Sequence, residues 1–315
     1  MNRRQLGNSG LEVSPLAFGG NVFGWTVDDP GAFNLLDAFV GAGFNFIDTA
    51  DVYSSWAPGN SGGESETIIG RWMKQRGNRD RVVIATKVGM AMAPDRKGLS
   101  RPYIMSAVEA SLRRLQTDHI DLYQSHVDDS ETPLEETLAA YGQLISEGKV
   151  RAIGASNYSA DRLSEALRVS RDEGLPTYCC LQPLYNLYDR AEFEAQLGPL
   201  CLQEGIAVIS YSSLASGFLT GKYRSEIDLA KSPRGVRTQK RLNERGFRIL
   251  AALDQVAERH RSTPSRVALA WLLAQPSVTA PIVSATNLEQ LGDILASIRL
   301  QLDYSSLDLL KNASA

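Results

Sequence analysis

The chain has 315 residues, 43% of them hydrophobic and 22% charged, which excludes disordered, collagen-like and low-complexity classes. Its 33 basic and 36 acidic residues leave a net charge of −3, so no basic excess points to nucleic acid and no acidic block reads as a tail. Three cysteines, Cys179, Cys180 and Cys201, suggest neither a disulfide framework nor a zinc site, and reduced thiols in a cytoplasmic protein are the expectation.

Met1-Asn2-Arg3-Arg4-Gln5 opens the chain with positive charge, but no apolar run follows it as a signal peptide requires. Arg4-Gln5-Leu6 and Glu12-Val13 flank Gly7-Asn8-Ser9-Gly10 and predict a small leading hairpin. Leu16-Ala17-Phe18 reads as a first strand closed by Gly19-Gly20. Asp29-Pro30 then reads as a helix cap with proline at the first helical position, followed by Phe33, Leu36 and Val40 at helical spacing. Phe44-Asn45-Phe46-Ile47 is a second strand, and Ile68, Ile69, Trp72 and Met73 stripe a helix that Gly77 stops. Val82-Val83-Ile84-Ala85 is a third strand. Ser100 caps a helix in which Ile104, Val108, Leu112 and Leu115 share a face.

Ile120-Asp121-Leu122-Tyr123 is a fourth strand, and the stripe Leu138, Tyr141, Leu144, Ile145 ends at Gly148. Ala152-Ile153-Gly154 is a fifth strand, and a helix over 161–171 leads to Tyr178-Cys179-Cys180-Leu181, the sixth. Phe193, Leu197 and Leu200 stripe the next helix before Ala207-Val208-Ile209-Ser210, the seventh strand. A long segment over 212–243 is rich in Gly, Lys and Arg. Helices near 247–260 and 264–274 precede Ala280-Pro281-Ile282-Val283, the eighth strand, and a last helix covers 288–298. The uncharged stretch from Val267 to Leu288 has the length of a membrane span. Gln275-Pro276-Ser277 and Pro281 interrupt it, so it reads as a buried helix, a turn and a strand, and no membrane partner is expected.

Strands that alternate with longer helical patterns are the sign of parallel β/α units. The order predicts a single α/β domain over residues 1–315, a (β/α)8 TIM barrel with a short amino-terminal β-hairpin. A doubly wound sheet is the runner-up, weakened because no Gly-x-Gly-x-x-Gly follows the first strand and opens a helix.

Barrel sites sit where strands end. Past the second strand come Asp48, Thr49, Asp51 and Tyr53. The third strand ends in Thr86-Lys87, the fourth in Gln124-Ser125-His126, the fifth in Ser156-Asn157, the sixth in Gln182 and the seventh in Tyr211-Ser212. Taken alone, Asp48 reads as a turn residue, Tyr53 as a satisfied aromatic and His126 as a structural histidine. Lys87 is the exception, because a lysine aimed into a barrel mouth is rare unless paired.

Together they make a carbonyl-activating group. A phenol near pKa 10 is a poor acid at neutral pH, and an adjacent ammonium is expected to lower that value. Asp48 would hold Lys87 charged, and His126 would orient a substrate oxygen beside the acid Tyr53. No serine or cysteine neighbours His126 in a way that suggests acyl transfer. The missing nucleophile is a cofactor hydride.

The run Gly43-Phe44-Asn45-Phe46-Ile47-Asp48-Thr49-Ala50-Asp51-Val52-Tyr53 resembles the signature of the aldo-keto reductase superfamily, in its bacterial type. The resemblance continues through Thr86-Lys87-Val88, His126, Gly154-Ala155-Ser156-Asn157, Gln182-Pro183-Leu184-Tyr185-Asn186 and Tyr211 to Lys222, over nearly the whole chain. It implies NAD(P)H-dependent reduction of an aldehyde or ketone, with Asp48, Tyr53, Lys87 and His126 catalytic. It implies that Ser156, Asn157 and Gln182 hold the nicotinamide amide and that Tyr211 stacks on the ring. Ser212, Leu214, Gly217, Leu219, Gly221 and Lys222 would line the pyrophosphate.

Ser284, Thr286 and Gln290 stand in the family's adenosine-phosphate loop, where relatives commonly carry Arg or Lys, and Ile294 stands where relatives often have Asn. NADPH is the expected cofactor, with NADH possible. Trp25, Trp56 and Tyr185 are the candidate apolar walls for a small-molecule carbonyl substrate, Trp56 first. Neither the natural carbonyl nor the oligomeric state is legible. Two other readings are a cofactor-binding regulatory module of the potassium-channel β-subunit type with little turnover, and a hydrolytic barrel. The intact set of four and the short amino-terminal segment argue against the first. The want of a second strong carboxylate beyond Asp128 and Asp129 argues against the second.

Overall fold

The computed structural model describes residues 2–315; Met1 lies outside the described residues. The leading hairpin pairs β1 (Arg4–Gln5) with β2 (Glu12–Val13) in antiparallel register. Eight parallel strands follow: β3 (Ala17–Gly19), β4 (Phe46–Asp48), β5 (Val83–Val88), β6 (Ile120–Ser125), β7 (Val150–Ser156), β8 (Cys180–Gln182), β9 (Ala207–Val208) and β10 (Ile282–Val283). They lie side by side in chain order from β3 to β9, with β10 paired to β3. Past the ends of the two short strands, Ile282 N donates to Ser210 O at 2.8 Å and Thr279 N to Val208 O at 2.8 Å, which joins the last edges of the sheet. The chain is a (β/α)8 barrel with an amino-terminal hairpin.

Helices α1 (Asp29–Gly41), α2 (Glu64–Arg76), α3 (Arg101–Leu115), α4 (Leu134–Ser146), α5 (Ala160–Glu173) and α6 (Gly198–Glu204) cross between successive strands. Their starts follow local chemistry. Asp28 accepts from Gly31 N and Ser159 from Arg162 N, which satisfies amides that have no partner inside the helix. After β9 come three short 3-10 segments over 215–220, 226–231 and 235–241, then α7 (Glu244–Arg259) and α8 (Pro264–Leu273). Beyond β10 run α9 (Leu288–Ala296) and α10 (Tyr304–Ala313).

Alternation along the strands builds two cores. Ala17, Phe46, Val83, Ala85, Leu122, Ala152, Cys180, Ala207 and Ile282 point into the barrel, where Leu6, Leu11 and Val13 of the hairpin join them and plug its amino-terminal end. Phe18, Ile47, Ile84, Tyr123, Ile153, Leu181, Val208 and Val283 point outward and pack under the helices. The plug leaves only the opposite mouth open for a site. No helix is long and apolar enough to cross a membrane among the described residues.

Candidate active site

The inward-facing set continues past the apolar layer, two residues at a time. Phe46 is followed by Asp48, Ala85 by Lys87, and Leu122 by Gln124 and His126. Ala152 is followed by Gly154 and Ser156, Cys180 by Gln182, Ile209 by Tyr211, and Ile282 by Ser284. A strand period of two therefore aims every one of these side chains into the same mouth. Gly154 is required at this crowded level, because a Cβ there would stand 2.5 Å from Cys180 Sγ.

Lys87 is wholly buried, and its ammonium spends all three donors. Nζ donates to Asp48 Oδ2 at 2.8 Å, to the Thr49 carbonyl at 2.8 Å and to Tyr53 Oη at 2.9 Å. Tyr53 Oη donates to Asp48 Oδ2 at 3.2 Å, and Gln182 Nε2 donates to Asp48 Oδ1 at 2.9 Å. One carboxylate thus anchors the lysine, the phenol and an amide. The imidazole of His126 stands edge-on to Tyr53, with ring centroids 5.9 Å apart. The structure brings Asp48, Tyr53, Lys87 and His126 together.

The electrostatics correct one expectation. Lys87 was expected to lower the Tyr53 pKa. Instead burial pushes the phenol well above its ordinary value, and the charge of Asp48 and its hydrogen bond add to that. Burial also lowers the Lys87 ammonium below its ordinary range, with Asp48 opposing. Desolvation, helped by the charge of Lys87, holds His126 well below the usual histidine range, so the ring is neutral. Both ring and phenol are therefore neutral hydrogen-bonding groups at physiological pH.

A cleft of about 1600 Å³ opens over these residues. Ser156, Asn157, Gln182, Tyr211, Ser212, Leu214, Gly217, Lys222, Ser284, Thr286 and Gln290 line it. Tyr211 Oη donates to Asn157 Oδ1 at 2.9 Å, and Asn157 Nδ2 donates to the His126 carbonyl at 2.9 Å, which pins the phenol ring at the mouth. Gln182 Nε2 donates to Asp48 Oδ1 and, at 3.2 Å, to Gln124 Oε1, so within this network it also positions the carboxylate. Leu219 and Gly221 do not line the cleft; Leu219 is buried in the outer core.

The strap after β9 suits an extended, phosphorylated cofactor. Gly217 has φ +93°, and a Cβ there would stand 3.2 Å from Lys222 Nζ. Glycine thus leaves room for a cation that has no carboxylate partner among the described residues. At the far end Gln290 Oε1 accepts from Thr286 N and Oγ1, while Arg266 Nε lies 2.7 Å from Asp293 Oδ1. A dinucleotide therefore fits the volume and the unpaired charge of the cleft.

Trp25 lines the cleft, and Trp56 stands behind it at the rim, 41% exposed. Their ring centroids are 5.8 Å apart, and Trp56 is 6.1 Å from Tyr53. Tyr185 is not a substrate wall in this structure. It is buried against Phe193, 4.3 Å between centroids, and Trp271, and its hydroxyl donates to Glu194 Oε1 at 2.7 Å. Arg234, Arg237 and Arg266 also line the cleft, as does Asn21. Sequence reasoning passed over these four: nothing in a loop's composition says which way Arg234 and Arg237 turn, and no spacing marks Asn21 or Arg266 of α8 as facing the mouth.

Behind the site lies a buried acidic group. Asp51 is 2% exposed, and neither of its oxygens has a hydrogen-bond partner among the described residues. Burial, with the nearby charge of Glu66, pushes its carboxyl up to about 8. Glu66 itself is held by Arg114 Nε at 2.7 Å and by the Thr86 hydroxyl.

With the geometry in place, comparison with known proteins is direct. Residues 15–315 match the model of the Aldo/keto reductase family. An uncharacterized oxidoreductase, YrpG, of Bacillus subtilis (strain 168) is 36% identical over 99% of this chain and 95% of its own length. A probable voltage-gated potassium channel subunit beta of Arabidopsis thaliana is 33% identical, over 95% of this chain and 91% of its own. The protein tas of Escherichia coli (strain K12) is 32% identical, over 98% and 96%.

Proposed function

The chain belongs to the aldo/keto reductase family, and on that premise we propose that, as a single barrel domain, it reduces an aldehyde or ketone to an alcohol with NADPH in the cytoplasm. The observation that carries the reading is the wholly buried Lys87 ammonium, which bridges Asp48 and Tyr53 at the open end of the barrel beside a cleft of about 1600 Å³. Members of this family use nicotinamide cofactors.

A bound nicotinamide supplies the hydride. Ser156, Asn157 and Tyr211 would hold it at the mouth, and Ser212, Leu214, Gly217 and Lys222 would take its phosphates. The rest is done by this chain's residues. Tyr53, kept neutral by burial and by Asp48, carries a proton it can release only to an oxygen that gains negative charge. A carbonyl oxygen that gains negative charge during reduction would be such a base and would take the Tyr53 proton. The ammonium of Lys87, already 2.9 Å from Oη, then faces the phenolate and stabilises it. Neutral His126 aims a hydrogen bond at the same oxygen and sets its place.

The preference for NADPH over NADH rests on the unpaired cations of the cleft, since the loop bearing Ser284, Thr286 and Gln290 has neutral side chains there. The buried, unpaired thiols of Cys179, Cys180 and Cys201 suit a reducing compartment.

Tyr53→Phe is the test. It should lower NADPH-dependent carbonyl reduction by about 10²–10⁴-fold, while NADPH still binds with nearly unchanged affinity by cofactor fluorescence. Full activity in the variant would remove Tyr53 as the acid. No NADPH consumption by the unaltered protein across a broad aldehyde and ketone panel would favour a cofactor-binding module instead.

A further inference from the structure

The hydrogen bonds under the mouth have a direction, and it is set by Asp48. A carboxylate only accepts. The end of the Gln182 amide that lies 2.9 Å from Asp48 Oδ1 is therefore its nitrogen, and the same Nε2 gives its second hydrogen to Gln124 Oε1 at 3.2 Å. That fixes the Gln124 amide in turn: its oxygen accepts from Gln182, and its Nε2 points the other way. Gln124 is wholly buried, and this Nε2 has no hydrogen-bond partner among the described residues. A buried donor left unpaired is costly.

His126 supplies the complementary orphan. Its backbone N donates to Val88 O at 2.8 Å, so the pairing of β6 with β5 runs on through it, and its side chain follows that of Gln124 on the inner face. His126 Nδ1 is buried with no partner among the described residues, while the ring lines the cleft, which leaves Nε2 to meet a ligand. Gly154, paired with Gln124 across β6 and β7, keeps room for the glutamine, since a Cβ there would stand 3.1 Å from Gln124 Cγ.

The other donors around the ring are engaged. Lys87 gives its hydrogens to Asp48, Thr49 and Tyr53, and Tyr53 gives its own to Asp48. Asn157 Nδ2 serves the His126 carbonyl and Ser156 Oγ. Tyr123 and Ser210 also have unpartnered hydroxyls, but they stand on the outer side of their strands, between inward-facing neighbours. Gln124 Nε2 is the one donor left on the inner face for His126 Nδ1 among these groups. A neutral imidazole has one proton for two nitrogens, and the bond made by one nitrogen decides which of them holds it.

Resting on the reductase reading, we infer that Gln124 is a positioning residue for carbonyl reduction: its Nε2 donates to His126 Nδ1, directly or across one water, and so keeps the ring proton on Nε2, where it meets the substrate oxygen. The carboxylate that holds Lys87 and Tyr53 thereby also sets, through two amides, the tautomer of the histidine that faces the same carbonyl.

Nitrogen-15 NMR of histidine-labelled protein reads the tautomer directly, and the chain has only three histidines. With NADP+ present at neutral pH, His126, assigned by the signals missing from His126→Gln, should show a protonated Nε2 and a bare Nδ1. Gln124→Met keeps the bulk and removes the donor. It should mix the two tautomers, lower kcat for aldehyde reduction by about tenfold, the scale of one hydrogen bond, and leave the NADPH dissociation constant within about twofold. Gln124→Glu reverses the polarity. While the new carboxyl and the ring share an extra proton, on either group, Nε2 stays a donor; once that proton is lost, the carboxylate draws the remaining ring proton to Nδ1. Reduction by this variant should therefore fall as pH rises from about 6 to 8, whereas Gln124→Met should keep the pH profile of the unaltered protein. Asp48, Lys87 and Tyr53, the other ionisable groups of the mouth, are the same in all three.

A His126 ring protonated at Nδ1 in the unaltered protein overturns the inference. So does a Gln124→Met variant that keeps the single Nε2-protonated form, even with activity lost, because the glutamine then acts by packing alone. A Gln124→Glu variant with the pH profile of the unaltered protein overturns it as well. If no carbonyl is reduced, the reductase reading has failed on its own, and the ring tautomers of the three proteins still decide the role of Gln124.

Discussion

Replacing Lys87 by methionine keeps the length of the side chain and removes its charge, which isolates the ion pair from the packing around it. Lys87 is wholly buried and Asp48 is 1% exposed, so each charge depends on the other. Removing one partner of such a pair leaves an uncompensated buried charge and costs about 3–5 kcal/mol. Asp48 would keep two donors, Gln182 Nε2 on Oδ1 and Tyr53 Oη on Oδ2, which places the expected loss at the lower end, about 3 kcal/mol. Asp48→Asn should cost a similar amount, because Lys87 keeps only the Thr49 carbonyl and Tyr53 Oη as acceptors in addition to an amide oxygen. The double variant removes both charges at once. It should lie within about 2 kcal/mol of the unaltered protein, less destabilised than either single change, since a neutral pair carries no desolvation penalty.

Urea unfolding read at constant slope would measure the four proteins, and carbonyl reduction would be measured beside it. Activity should not follow stability. All three variants should lose reduction by a similar factor of at least about 10², because Tyr53 loses its anchor whichever partner goes, and effects within one functional unit do not add. A double variant whose loss equals the sum of the two single losses would refute the pairing argument. Recovery of activity with stability would refute the catalytic one.

Tyr53 and His126 set the pH dependence of turnover. A phenol raised above its ordinary value stays protonated at every pH below it, and an imidazole lowered well below 6.5 stays neutral at every pH above it. The rate of reduction with NADPH saturating should therefore be flat from about pH 6 upward until the lowered Lys87 ammonium loses its proton; a break near pH 6.5 would mean that the His126 direction is wrong. Asp51 sets the pH dependence of stability. Its carboxyl, raised to about 8 in the folded chain, titrates near 4 when unfolded, so the folded state binds the extra proton between those values and stability falls as pH rises through that window. Asp51→Asn should match the unaltered protein near pH 4.5 and exceed it by a few kcal/mol near pH 8.5, of the order expected for a buried carboxyl forced to ionise. Parallel stability curves for the two proteins would count against a protonated Asp51.

Much of the fold is legible because one rule governs it. Apolar residues at every second position of Phe46-Ile47-Asp48, Val83 to Lys87 and Leu122 to His126 mark two faces, and the polar residues that break each run fall on the inner face. The period of two along each strand therefore decides which side chains meet. Misses occur where the rule ends. Phe44 reads as strand, but β4 begins at Phe46, and Phe44 packs outside under α1, 5.0 Å from Phe39. Helix α10 was not read from the sequence, although Asp303 accepts from Ser306 N as a cap and Leu307 and Leu310 share its face. Two apolar residues three apart make too short a stripe to stand out.

The site shows the same division more sharply. Partners across strands can be read from register, but desolvation cannot, since it is a property of everything packed around a group and not of its neighbours in the chain. That is why the direction of the Tyr53 shift came out reversed. The ammonium at 2.9 Å favours phenolate, yet desolvation and the carboxylate that the same ammonium anchors outweigh it. A lysine shared between a carboxylate and a phenol cannot give its full charge to the phenol. The acid is therefore prepared by being kept neutral, and the lysine's charge is left to act when the proton has gone. This order of events requires the Lys87→Met defect to appear in the rate of the chemical step more than in substrate affinity. A single-turnover experiment would show it as a slower hydride step at unchanged NADPH binding, and an equal loss in binding with no change in that step would reverse the argument.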